Sequence, residues 1–210
     1  MPRITDERRE ARRHQVLEAA RACLQEHGLE AVSMEMIIAR SGLSTGAVYG
    51  YFKGKDEIIS AAVTEGTAEL GAYLVPILSD PRPPPLPELM GRLLRAIEEF
   101  GQREDGIDRL LVSLHGWSHS QSDPELKAAA RASYRRLREL FAETVKRWQA
   151  AGTTGPGADA DADALAELLT SICLGFVAQR ALAGTASIQA HVDALRELTS
   201  VRPAGGPRGS

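Results

Sequence analysis

Proline positions divide this chain into stretches long enough to form helices. No proline lies between Pro2 and Pro76, and five of the eleven prolines cluster in the segment DPRPPPLP at residues 80–87. Proline interrupts helices and the interior of sheets. The stretches between the prolines carry apolar residues at helical spacing, without the alternation typical of strands. The sequence therefore predicts an all-α protein of about nine helices.

Residues typical of helix ends separate the predicted helices. Thr5 is a plausible N-cap for the first helix and Gly28 ends it, while Ser122 and Glu125 form the pattern of a capping box before the longest one. The proline cluster is predicted to be a stiff connector, and residues 203–210 a flexible tail. The predicted helices span residues 5–28, 33–42, 44–51, 56–74, 88–103, 107–118, 124–151, 163–183 and 187–201.

Composition narrows the class of protein. Hydrophobic residues make up 43% of the chain and charged residues 25%, which is ordinary for a soluble globular protein. The first residues form no apolar signal, and no uncharged apolar run reaches about 18 residues, so we expect a cytoplasmic protein with no membrane partner. The net charge is −3, yet basic side chains outnumber acidic ones in the first 55 residues. Cys23 and Cys173 are too few for a disulfide scaffold and form no CxxC pair.

The most informative segment is SMEMIIARSGLSTGAVYGYFKGK, residues 33–55. A predicted helix is followed by a tight turn at Gly42 and Leu43 and by a second short helix, which is the arrangement of a helix-turn-helix. Apolar residues are spaced to pack against Leu17 and Leu24, and these are Ile37, Leu43, Val48 and Phe52. The other side chains carry hydroxyl or ammonium groups suited to phosphates and base edges, and they are Ser33, Ser44, Thr45, Tyr49, Tyr51, Lys53 and Lys55. A helical hairpin inside a core is the alternative, and these polar groups argue against it.

This segment resembles the TetR/AcrR family of transcriptional repressors. The resemblance covers about residues 10–65 and lies in Ala39-Arg40-Ser41-Gly42, Leu43-Ser44, Val48-Tyr49-Gly50-Tyr51-Phe52 and Lys55. It implies a helix-turn-helix DNA-binding domain over residues 1–56 and a helical ligand-binding and dimerisation domain over residues 57–202. It also implies phosphate contacts by Ser33, Tyr49, Tyr51 and Lys55. The residues that it places toward the major groove are Ser44, Thr45, Gly46, Ala47 and Gly50.

The predicted recognition helix carries few groups that can read a base. It has no Arg, Asn or Gln for a bidentate contact, and Ala47 offers only a methyl group to thymine. We therefore expect the shape and deformability of double-stranded DNA to supply much of the specificity. Arginines at the start of the chain could lie near phosphates or a minor groove, although acidic neighbours make a solvated helix face an equal alternative. They are Arg3, Arg8, Arg9, Arg12 and Arg13.

Three motifs imitate enzyme or metal sites. Residues 42–46 match GxSxG, but that motif needs a preceding strand and a surrounding sheet. His115 and His119 lie on one helical face without a third ligand at the needed spacing. Residues 159–163 imitate the start of a calcium loop whose closing Glu is replaced by Thr170. The sequence therefore predicts a protein that is not an enzyme and needs no metal or cofactor.

The rest of the chain offers candidates for a small-molecule effector site. Helical bundles bind ligands between helices, in pockets that combine aromatic and polar side chains. Any single aromatic residue in an all-α domain is more often part of a core than of a pocket. The candidate pocket residues are Phe100, His115, Trp117, Phe141, Phe176 and Gln179.

The last two predicted helices are candidates for a homodimer interface. The eighth helix is apolar around much of its circumference, so it must be buried on more than one side. In the TetR/AcrR family the two final helices pair with those of a second copy, and a single intramolecular core is the alternative. One short recognition helix reads few base pairs, which favours a dimer on a palindromic operator. The candidate interface residues are Leu165, Leu168, Leu169, Ile172, Phe176, Val192 and Leu195.

The sequence as a whole indicates a ligand-responsive repressor. A small molecule would enter the helical body and favour a conformation that no longer fits the operator, with helix 56–74 transmitting the change. One alternative is an architectural DNA-binding protein without a ligand. The other is an all-α metal-dependent or hydrolytic enzyme built on the histidine pair or the GxSxG motif.

Overall fold

The computed structural model describes residues 6–102, 106–152 and 160–200. Within these residues the protein has nine helices and no strand, which confirms the all-α prediction. Thr5, Asp159 and the predicted tail at 203–210 lie outside the described residues. The helices are α1 (Asp6–Ala31), α2 (Met34–Ser41), α3 (Thr45–Tyr49), α4 (Lys55–Leu78), α5 (Leu86–Gly101), α6 (Arg109–His119), α7 (Pro124–Ala150), α8 (Ala162–Ala183) and α9 (Ile188–Ser200).

The helices form two compact units. Unit 1 takes in the described residues of Met1–Gly71 and Glu99–Ser133, and unit 2 those of Ala72–Glu98 and Tyr134–Ser210. The divisions fall within α4, α5 and α7. The helix-turn-helix segment therefore shares its unit with most of α4 and with α6.

The core of unit 1 joins the helix-turn-helix to α1 and α4. Ile37, Val48 and Phe52 are at most 3% exposed and pack in one cluster with Leu17 and Leu24, which confirms the predicted packing of these three residues. Leu43, predicted in the same set, is only partly buried against this cluster. Burial of large aliphatic and aromatic side chains contributes about 1.5–3 kcal/mol each. This cluster consequently holds α2 and α3 firmly against α1.

Two arginines with almost no exposure lie in unit 1. The guanidinium of Arg21 is 1% exposed and donates to the Ala62 carbonyl from Nε at 3.2 Å and from Nη2 at 3.0 Å. It also pairs with the carboxylates of Glu18 and Glu69. Arg109 on α6 is 4% exposed and reaches the other oxygen of Glu18 at 3.2 Å. Glu18 on α1 thus connects both buried cations.

Helix α6 approaches α4 very closely within unit 1. Gly116 of α6 is buried, and a Cβ built on it would overlap Cγ1 of Val63 on α4. Any larger residue at position 116 would force these helices apart. Glycine is therefore required here for the close approach rather than for its backbone freedom.

Unit 2 is held by its own apolar core and by contacts of α7 with the segment after α4. Phe141, Phe176 and Leu78 are completely buried. The Leu78 carbonyl accepts from the Thr144 hydroxyl at 3.1 Å and from the Arg147 guanidinium, which satisfies a carbonyl at the end of α4. Trp148 Nε1 donates to the carbonyls of residues 83 and 84 at 3.3 and 3.0 Å, so α7 also holds the proline connector.

Several helix ends differ from the sequence prediction. Gly28, the predicted end of α1, has a non-helical backbone (φ 71°, ψ 171°), but helical residues continue after this kink to Ala31. Helix α4 continues to Leu78 rather than ending near Leu74, with Pro76 inside its last turn. Proline has no N–H, so the carbonyl of residue 72 lacks its usual helical donor there. The predicted capping box at the start of α7 is wrong. Asp123, between the two predicted cap residues, accepts from Glu125 N at 2.9 Å and Leu126 N at 3.0 Å. Its carboxylate also accepts from the Ser60 hydroxyl, which lowers the pKa of Asp123.

Both cysteines are free and buried, and burial raises the pKa of Cys173 to about 12. Cys173 lies on α8, which is long and apolar enough to cross a membrane by length and composition alone. Core helices of soluble proteins pass that same test. A third of the relevant stretch of α8 is buried inside the protein.

Candidate nucleic-acid interface

Serine caps and one glycine shape the helix-turn-helix. Ser33 Oγ accepts from Met36 N at 3.3 Å and caps α2, and Ser44 Oγ accepts from Ala47 N at 3.3 Å and caps α3. Gly42 closes α2 in the left-handed conformation with φ 65°, which favours glycine. The caps and this turn fix where α2 ends and where α3 begins.

Helix α3 has one buried side and one exposed side. Val48 is completely buried, whereas Tyr49 is 51% exposed. Of the residues predicted to face a groove, Ala47 is half-buried and the others are exposed, namely Ser44, Thr45, Gly46 and Gly50. The small residues leave the backbone of α3 accessible to a close ligand.

The predicted phosphate-binding residues lie around α3. Ser33 is half-buried at the start of α2, and Tyr51 is half-buried against the core of unit 1. Lys53 is exposed and Lys55 is the partly exposed first residue of α4. The carboxylate of Glu57 accepts from the backbone N–H of Lys53 at 2.6 Å, which caps the start of α4. Two tyrosines and two lysines, none of them fully buried, thus lie within seven consecutive residues, 49–55.

Helix α1 holds α2 through polar contacts that the sequence analysis missed. Gln15 Nε2 donates to the Ser41 carbonyl at 2.6 Å. Arg40 Nη1 lies 2.6 Å from Glu26 Oε2, and this bond lowers the pKa of Glu26 and raises that of Arg40. Gln15 and Ser41 are 26 residues apart in the chain, and Glu26 and Arg40 are 14 residues apart. No local pattern in the sequence therefore indicates these two contacts.

Arg13 makes contacts inside the protein that neither interpretation of the early arginines, near DNA or on a solvated helix face, includes. Its guanidinium pairs with the carboxylate of Glu65, lies 3.4 Å from Glu10 and stands 5.5 Å from the centre of the Phe52 ring. The Glu65 bond raises the pKa of Arg13. Its side chain is 29% exposed, whereas Arg8, Arg9 and Arg12 are on the exposed face of α1, and Arg3 lies outside the described residues.

The motifs that imitate enzyme sites have structural explanations. Ser44 of the GxSxG match caps α3 and is preceded by α2, and the described part of the chain has no strand. His115 and His119 lie on α6. Across residues 6–102, 106–152 and 160–200, no group of three or more His, Cys, Asp or Glu side chains could hold a metal ion.

The candidate effector residues fall into both units. Phe100, His115 and Trp117 belong to unit 1, and Phe141, Phe176 and Gln179 to unit 2. Phe100 lines a cavity of about 10 Å³ in unit 1, which is too small for an organic ligand. Phe141 and Phe176 are completely buried, and Gln179 is exposed.

The candidate dimer residues differ in exposure. Leu169, Phe176 and Val192 are buried within their own chain and offer little surface to a second copy. Leu165, Ile172 and Leu195 are half-buried, and Leu168 is 57% exposed.

The exposed apolar surface of α8 and α9 includes two leucines outside the predicted set. Leu182 is 75% exposed and Leu198 69% exposed. The signal for Leu182 was available, since it follows Leu168 by 14 residues, close to four helical turns.

Family models match both parts of the chain. The model of the TetR family of bacterial regulatory proteins matches residues 16–62. The model of the C-terminal region of BetI-type transcriptional repressors matches residues 90–200, more than half of the chain.

Curated relatives match over different lengths. The transcriptional repressor Rv1474c of Mycobacterium tuberculosis is 32% identical over 72 residues, 34% of this chain and 38% of that protein. The regulator YfiR of Bacillus subtilis is 32% identical over 32% of this chain and 33% of its own length. The chain thus spans about a third of the length of each of these two relatives. BetI of Burkholderia lata is 30% identical over 152 residues, 68% of this chain and 74% of BetI.

Solved structures share the fold over nearly the whole chain. GusR of Salmonella enterica has a TM-score of 0.69 and 19% identity, and the match covers 94% of this chain and 96% of GusR. A Saccharomonospora viridis protein solved in complex with choline has a TM-score of 0.71 and 22% identity, covering 90% of this chain and 95% of that one. At such identities the likeness concerns the fold alone.

Proposed function

This chain belongs to the TetR family of DNA-binding transcriptional regulators, and from that premise we propose that it is a cytoplasmic repressor released from DNA by a small molecule. It binds a palindromic operator as a homodimer. Residues 1–56 supply the DNA contacts, and residues 57–202 bind the effector and the second copy. Helix α4, whose residues belong to both units, carries the change between them.

The exposed polar side of α3 is the observation that carries the proposal. Ser33, Tyr49, Tyr51 and Lys55 bind phosphates, and α3 enters the major groove with the small residues at 46, 47 and 50 against the base edges. A tight fit of the backbone to the groove favours readout of DNA shape. In support, α3 is held by the apolar core on one side and is solvent-exposed on the other.

The apolar surface on α8 and α9 supports the homodimer. Leu168, Leu182 and Leu198 are each more than half exposed in a single chain. Leu168 and Leu182 lie on the same side of α8, about four turns apart, so a second copy packed along that side of α8 would cover both. A second copy would cover them symmetrically and place two recognition helices on two half-sites.

Selection of duplexes from a randomised DNA pool tests DNA binding and the dimer together. We expect the purified protein to enrich an inverted repeat whose half-sites are about one helical turn apart. Failure to enrich any sequence would contradict the proposed function. Enrichment of a single half-site would contradict the dimer while leaving DNA binding intact.

Choline is the first probe for the effector, because the Saccharomonospora viridis neighbour was solved with it. We expect choline to raise the Tm of the protein and to weaken binding to the selected duplex about 10-fold, since ligand and DNA favour different conformations. Ethanolamine, which lacks the three methyl groups, is the control. A rise in Tm without weaker DNA binding would contradict release by the ligand, and no rise would exclude choline as the effector.

A further inference from the structure

We propose that Arg13 is a positioning residue that fixes the end of the recognition helix through Phe52 and Glu65, without touching DNA. This rests on the proposed function, because it assumes that α3 is the element that reads the operator. It assigns a role to an arginine for which the sequence alone left DNA contact and a solvated helix face as equal alternatives.

Three contacts within unit 1 hold the Arg13 guanidinium. It forms an ion pair with Glu65 of α4 and a second one with Glu10, 3.4 Å away on α1. It also lies 5.5 Å from the centre of the Phe52 ring, within the range of a cation–π interaction. These contacts connect α1, the turn after α3, and α4.

Phe52 connects the contacts of Arg13 to the residues that are proposed to face DNA. Its N–H donates to the Val48 carbonyl at 3.1 Å, and the N–H of Tyr51 donates to the same carbonyl at 3.0 Å. The Phe52 ring is 3% exposed, so it is held between the core and the Arg13 guanidinium. Tyr51 and Lys53 are its direct neighbours in the chain. Any movement of Phe52 would therefore displace both.

The carboxylates of Glu65 and Glu10 already balance the positive charge of Arg13. A phosphate would compete with the Glu65 carboxylate for the guanidinium. Moving the Arg13 side chain outward to meet a phosphate would break the partly buried ion pair and the ring contact together. Arg12, the next residue back, is on the exposed face of α1 and carries the same charge. It is the matched control for a loss of positive charge at this end of the protein.

The test measures Kd for the selected duplex and for an unrelated duplex over a series of salt concentrations, with four variants of the full chain. We expect R13Q and E65Q each to weaken binding to the selected duplex about 5–10-fold. R13Q removes the cation over the Phe52 ring, and E65Q removes the carboxylate that holds that cation in place. Binding to the unrelated duplex weakens by a similar factor, because the phosphate contact of Tyr51 does not depend on sequence. The salt slope stays the same in both variants, because the Tyr51 hydroxyl carries no charge. R13K keeps the ion pair with Glu65 and is expected to retain most of the affinity for the selected duplex. R12Q, in contrast, is expected to lower the salt slope by up to about 0.9 for each phosphate that Arg12 no longer binds.

The variant E65Q separates the two roles most sharply. If Arg13 bound phosphate, removing the competing carboxylate would strengthen binding to both duplexes, and R13Q would lower the salt slope. Either result overturns the proposal, as does unchanged affinity in E65Q. Far-UV circular dichroism and thermal unfolding identify any variant that fails to fold. If R13Q does not fold, the results for R13K and E65Q still decide the test. If the wild-type protein selects no duplex at all, the proposed function fails instead.

Discussion

The variant R21A is expected to lose about 3–5 kcal/mol of free energy of unfolding. Arg21 is 1% exposed, and it is the donor for the Ala62 carbonyl and the partner of Glu18 and Glu69. Removing it leaves a buried carbonyl without this donor and leaves two carboxylates without this counter-charge. It also creates a cavity where a long side chain was packed. Urea unfolding followed by circular dichroism measures the loss.

Arg92 provides the control for R21A. Its guanidinium pairs with Glu88 at 2.6 Å, but the two side chains are 48% and 52% exposed. Pairs of this kind contribute about 0–1 kcal/mol, so R92A is expected to change stability by no more than that. Equal losses in R21A and R92A would show that burial of Arg21 does not matter for stability.

The second large effect is on DNA binding. The double variant Y49F/K55Q is expected to weaken binding to the selected duplex at least about 100-fold, because hydrogen bonds to a charged group contribute about 1.5–3 kcal/mol each. The substitution of Lys55 also lowers the salt slope by about 0.9 for each phosphate that the lysine neutralises. Stability should change little, since Tyr49 is 51% exposed and Lys55 is the first residue of α4. Fluorescence anisotropy of a labelled duplex at several salt concentrations measures both quantities.

The matched control for that variant is Y134F/K146Q. It removes the same two groups from α7, where Tyr134 is 37% exposed and Lys146 pairs with Glu143 on the surface. We expect its Kd and salt slope to equal those of the wild type. If Y49F/K55Q binds as tightly as this control, the assignment of α3 and the start of α4 to DNA is wrong.

Local signals explain why so much of the helix-turn-helix could be predicted from the sequence. The caps at Ser33 and Ser44 and the turn at Gly42 depend on residues within three positions of each other. The burial of Val48 and Phe52 follows from apolar spacing. These elements are specified by neighbours in the chain, and their bounds agree with the prediction to within a few residues.

Long-range partners explain what could not be predicted. Arg13 meets Glu65 across 52 residues, so its place among exposed arginines gave no hint of an internal role. Asp123 caps α7 in a segment where a neighbouring serine offered an equally good pattern. The roles of the predicted effector and dimer residues remain predictions.

The close approach of Gly116 to Val63 limits which substitutions can accumulate at these two positions during evolution. A mutation that adds even one methyl group at position 116 would be harmful unless residue 63 first became smaller. The two positions, 53 residues apart, are therefore expected to covary among the descendants of this chain. Glycine should persist wherever a branched side chain faces it, and the order of the two substitutions would matter for survival.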